Sequence, residues 1–162
     1  MRHARKGAAK VAAKTVAVAH TKHPRDIDVF WQPMPEGIRT MLEPYVTKHL
    51  HVAPVWCRKL TIGYATSSDA VRTLAEITTD CEYRQASVVF YSLMLMEPEI
   101  ERERTVLHEL LHIAVAPLSD WTHSMISDLV EDGAMKSHLL KEATQRMEGT
   151  VQDLMYSLLP SK

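Results

Sequence analysis

An α+β domain, with a small antiparallel or mixed sheet packed on helices, is the fold class this sequence predicts. Three observations carry the prediction. Apolar residues at helical spacing occupy residues 38–50 and again 100–114. Between them, short β-rich runs are broken by turn residues at Asp80-Cys81-Glu82. At 162 residues the chain has room for one core but not two.

Residues 1–27 read as a basic, disordered tail, with Arg2, Arg5, Lys6, Lys10, Lys14, Lys22 and Arg25 but no acid before Asp26. Lys10 and Lys14 interrupt any secretory apolar stretch, while the Ala- and Lys-rich character leaves open a mitochondrial-type presequence or a nucleic-acid-binding arm. Residues 28–162 form the domain. Trp31, Pro33 and Pro35 introduce a helix bearing Ile38, Met41, Leu42, Tyr45, Val46 and Leu50, which Pro44 is expected to kink or split. A strand follows in VWCRKLTIGYA. TLAEITTD and YRQASVVFYS then read as a hairpin, with a helix over 69–77, capped by Ser67 or Ser68, as the alternative to its first arm. Val88-Val89-Phe90-Tyr91 is the expected sheet edge. Leu93-Met96 reads as core, and Trp31, Trp56 and Trp121 as packing residues at element boundaries.

Pro98 and the acids Glu97, Glu99, Glu101 and Glu103 suit a helix N-terminus, whose dipole favours negative charge. Ile100, Leu107, Leu111 and Ala114 give that helix an apolar face, and Pro117 is expected to stop it. Two more helices are expected at about 121–146 and 149–159.

The chemistry lies in His108-Glu109-Leu110-Leu111-His112, an HExxH motif on the Pro98–Pro117 helix. Histidines at i and i+4 share one face, so two neutral imidazoles can grip one Zn²⁺. Glu109 then lies beside the open coordination position, able to take a proton from a metal-bound water. A third protein ligand is required. Val115 and Leu118 stand where an extended HExxHxxGxxH pattern has its glycine and third histidine, so a later carboxylate is needed. Asp128, Glu131 and Asp132 share a helical face; Glu131 is the expected ligand, with Asp128 or Asp132 orienting a histidine from behind. His123 and His138 are the competing third ligands, and Tyr91, Tyr83 and His123 the candidate oxyanion donors.

RTVLHELLHIAVAPL followed by an acidic helix resembles the zincin-type metallopeptidases often encoded by bacteriophages and prophages, which are similar in pattern to minimal Glu-zincins and the ImmA/IrrE group. In that group an acidic residue with alanine three positions on marks the third-ligand helix, as Glu131 and Ala134 do here; Gly133 departs from the pattern. YRQASVVFY also resembles the strand that precedes the active-site helix. The likeness spans about residues 56–140 and implies a zincin-like fold, a zinc-dependent peptidase and a protein or peptide substrate. The rival reading is a metal-binding regulatory or interaction module of phage type without general peptidase activity.

Composition adds exclusions. Net charge is −1, so there is no global pull toward nucleic acid or acidic membranes. No apolar run reaches the roughly 18 residues of a membrane span. Cys57 and Cys81 have no CxxC spacing and are expected as free thiols in a reducing cytoplasm.

Overall fold

The computed structural model describes residues 19–22, 27–66 and 73–159. Most of the basic segment (1–18 and 23–26) and the caps Ser67 and Ser68 lie outside them. The described chain is α+β: a mixed sheet with three helices.

Strands β2 (Asp28–Trp31), β3 (Lys59–Ala65), β4 (Ala75–Asp80) and β5 (Gln85–Tyr91) form a sheet in the order β2-β3-β5-β4. β1 (Ala19–Lys22), within the stretch assigned to the tail, adds antiparallel to β2. β2, β3 and β5 run parallel, and β4 pairs antiparallel with β5, from Ala75 opposite Phe90 to Asp80 opposite Gln85. The hairpin is therefore present, and Ala75–Asp80 is strand rather than helix. β2 is a strand that sequence reading missed. Its four residues are too few for a periodic signal, but Val29 and Trp31 alternate into the core.

The expected edge is corrected. β5 is interior, hydrogen-bonded to β3 on one side and β4 on the other, and among the described residues the free edge belongs to β4. The physical reason is composition: β5 buries Ala86, Val88 and Phe90, whereas β4 offers Glu76, Thr78, Thr79 and Asp80, polar groups that tolerate an unpaired edge.

Helix α1 (Glu36–His49) stays one helix despite Pro44. Its Leu42 and Val46 meet Leu60 and Ile62 of β3, Val88 and Phe90 of β5, and Val106, Leu110 and Ile113 of the next helix in the main core. Met94 joins that core, while Met96 points to solvent. Helix α2 (Glu99–Leu129) runs 31 residues, about 46 Å at 1.5 Å per residue. Pro117 does not stop it. A proline removes one N–H, the partner of the Ile113 carbonyl four residues back, and its own ring is exposed here, so the helix continues at the cost of that one bond. Helix α3 (Ala134–Leu158) follows a short connection in which Gly133 adopts φ +149°, a conformation side chains other than glycine's rarely allow. The helices expected at 121–146 and 149–159 are thus replaced by the second half of α2 and a continuous α3. Val151 and Met155 of α3 pack on Leu107 and Leu111 of α2 in a second apolar cluster. No helix among the described residues is long and apolar enough to cross a membrane.

Candidate metal centre

Each side chain of this site is positioned by its neighbours in sequence. On α2, Leu107, Leu110, Leu111 and Ile113 are buried and fix the rotation of the helix. That rotation leaves His108 and His112, one turn apart, on the face beside them, with ring centroids 4.7 Å apart and planes at 75°. Their Nε2 atoms are 3.1 Å apart. On α3, Val151 and Met155 are anchored against Leu107 and Leu111, and Glu148 lies one turn before Val151 on the same face. Its Oε2 reaches 3.5 Å from His108 Nε2 and 3.4 Å from His112 Nε2.

These three ligand-type atoms form a nearly equilateral triangle. A tetrahedral ion bonded at about 2.0–2.2 Å holds neighbouring ligands about 3.3–3.6 Å apart, close to the observed edges. A hydrogen bond between the rings accounts for the shortest edge. It does not account for a carboxylate oxygen equidistant from both nitrogens. The donor set, two imidazoles and one carboxylate, is the type that suits zinc with a fourth position free. Burial, and next the neighbouring His112, hold His108 below the usual histidine pKa against the opposing pull of Glu148, which favours the neutral ring that a metal requires.

Glu109 is the site's buried carboxyl, 8 % exposed, with burial raising its pKa to about 7 and the charges of Glu148 and Glu76 adding to the rise. It lines a cavity of about 380 Å³ together with both histidines, Glu148, and Glu76, Ile77 and Thr79 of β4. The free sheet edge is therefore one wall of the cavity that holds His108, Glu109 and His112.

The other candidate ligands are elsewhere. Glu131 is exposed in the α2–α3 connection and is not part of this group. Asp128 is exposed and accepts from Ser124; Asp132 pairs with Lys136; His138 pairs with Glu142. His123 bonds Thr144 across the two helices. The reason is helix length. α2 continues 17 residues beyond His112 (129 − 112), and an antiparallel helix starting at Ala134 needs about as many to return level, which brings the chain back near 148–151. Sequence reading missed Glu148 because it fell between the two helices expected at about 121–146 and 149–159. The signal that could have found it is the apolar pair Val151 and Met155, with Glu148 completing the stripe at i−3.

None of the three proposed oxyanion donors lines the cavity. Tyr83 is exposed at the β4–β5 turn, and the Tyr91 hydroxyl donates to Glu76 Oε2 at 2.6 Å. Ser119 and Thr79 are the hydroxyl-bearing side chains on the cavity wall. No family model matches the chain, and neither a curated protein nor a solved structure does so.

Proposed function

We propose that this chain is a zinc-dependent hydrolase of peptide bonds, with His108, His112 and Glu148 as metal ligands and Glu109 as general base. The observation that supports it most is the triangle of Nε2, Nε2 and Oε2 atoms with edges of 3.1, 3.5 and 3.4 Å. When bound, the ion supplies Lewis acidity, lowering the pKa of a coordinated water toward 7 and polarising a carbonyl.

The chain's own residues do the rest. The Glu109 carboxylate, next to the first ligand and lining the same cavity, takes the proton of the attacking water and returns it to the leaving amine. A carboxyl whose pKa is near neutral in the metal-free protein suits a group that must gain and lose a proton in one turnover. The free edge of β4 offers backbone N–H and C=O groups to an extended peptide laid along the cavity wall.

One observation favours a second reading, a metal-binding module without efficient turnover: none of Tyr83, Tyr91 and His123 lines the cavity to steady an oxyanion. Two measurements separate the readings. Protein purified without chelator should carry one zinc, lost in His112→Ala. Cleavage of an unfolded protein should be abolished by chelator and by Glu109→Gln, with metal retained in the latter. Tight zinc without turnover selects the module; turnover that survives chelation removes the proposal.

A further inference from the structure

Beyond the candidate metal centre, the second half of α2 carries an apolar stripe that none of the described residues covers. Leu118, Trp121, Met125 and Leu129 recur at i, i+3, i+7 and i+11, one straight line along the helix about 16 Å long. They are 57, 61, 39 and 73 % exposed. The residues that turn toward α3 are different ones: Ser119, Thr122, His123 and Ile126 are half-buried, and His123 bonds Thr144 of α3. Trp121, expected to pack at a boundary, is therefore largely in solvent. A contiguous stripe of large apolar side chains on a folded domain marks an interaction surface more often than isolated exposed residues do.

Charge decides what fits it. Between Arg104 and Lys136 the chain has no lysine or arginine. Asp128, Glu131 and Asp132 sit exposed at the end of the stripe, where the C-terminal end of the helix adds negative potential. Lys136, at the start of α3, is already paired with Asp132. A second copy of this surface, in either orientation, would bring no lysine or arginine from the stripe to meet Asp128 or Glu131. Both ends of an antiparallel pair would bury acid against uncompensated apolar surface.

We propose that this face of α2 docks a basic amphipathic helix from another protein, its leucine-like stripe lying along Leu118–Leu129 and its lysines or arginines meeting Asp128 and Glu131. A straight i, i+3, i+7, i+11 line is the complement of the same line on a partner helix. Trp121, large and centrally placed, is the anchor of the contact.

The probe is a synthetic helix of about five turns with leucines on one face and lysines on the other, titrated against the full chain by fluorescence anisotropy. A peptide with the same leucines and glutamates in place of lysines is the control. The lysine peptide should bind and the glutamate peptide should not. Leu118→Ser with Trp121→Ser should weaken binding about tenfold or more, with the circular dichroism spectrum unchanged. Asp128→Lys with Glu131→Lys should reverse the preference between the peptides. The idea is overturned if the serine variant binds as well as the parent, or if both peptides bind alike. It is equally overturned if sedimentation finds a dimer that Trp121→Ser dissolves, which would make a second copy the occupant. Binding gained only on removing residues 1–18 would assign the surface to the chain's own basic segment.

Discussion

Glu148 Oε2 lies 3.4 Å from His112 Nε2, joining a carboxylate of α3 to an imidazole of α2 across the interface between the two helices. This contact separates the proposed ligand set from the one the sequence suggests. Glu148→Ala should weaken zinc binding, read by competition with a chromogenic chelator, by more than about 100-fold, since even outer partners of metal ligands contribute 10- to 100-fold. Glu131→Ala should leave it unchanged. Equal losses in the two variants would remove Glu148 from the site.

The anchoring of α3 should matter to the metal as well as to stability. Met155 is buried against Leu107 and Leu111 and is not one of the three ligand-type residues. Met155→Ala should lower unfolding free energy by about 2–5 kcal/mol through the cavity it leaves. Zinc affinity should fall with it, because Glu148 is held by the same helix. Calorimetric melting and metal titration on one preparation test both parts, and an unaltered zinc affinity would uncouple α3 packing from the site.

Glu109 predicts a pH dependence in the metal-free protein. Its folded pKa of about 7 exceeds the usual 4.5, so the folded state binds the extra proton between those values. The stabilisation from this group is complete below 4.5 and is lost as pH rises through about 7. His108, with its pKa lowered by burial, acts in the opposite sense, so the comparison must be with Glu109→Gln rather than with pH alone. That variant should gain stability over the parent as pH rises across the window, by a few kcal/mol, about 1.4 for each pKa unit. A stability difference that stays flat from pH 4.5 to about 7 contradicts the shift.

A second carboxylate works the other way. Glu103 Oε1 accepts hydrogen bonds from Lys48 Nζ at 2.6 Å and His49 Nε2 at 2.7 Å, tying α1 to α2. Burial alone would raise its pKa, but the two donors outweigh burial and hold it below 4.5. Its contribution is therefore present above 4.5 and lost as pH falls through the folded value. Glu103→Gln should cost about 1–3 kcal/mol near neutrality, leaving buried His49 without its charged partner, and should flatten the acid limb of the stability curve. Urea unfolding at several pH values measures both.

Pro117 offers a simple backbone test. Pro117→Ala restores the N–H that the Ile113 carbonyl lacks and should raise stability by about 1–3 kcal/mol in thermal melts. A lower melting temperature would mean that the proline is needed for the path of α2.

Local sequence determined a good deal of this protein. The i, i+4 spacing of His108 and His112 needs only a helix to bring two imidazoles together, and the buried leucines around them supply one. The β4–β5 hairpin was legible for the same reason, since alternation and a turn act over a few residues. What tertiary structure decided was whatever depends on distance along the chain. A proline biases a helix end by a few kcal/mol at most, so Pro117 could be overridden by packing between α2 and α3. With α2 running on to Leu129, the carboxylate that returns level with the histidines is Glu148 rather than Glu131. The exposed edge likewise fell to β4 because strand order is set by burial on the whole sheet, which no short window of sequence contains.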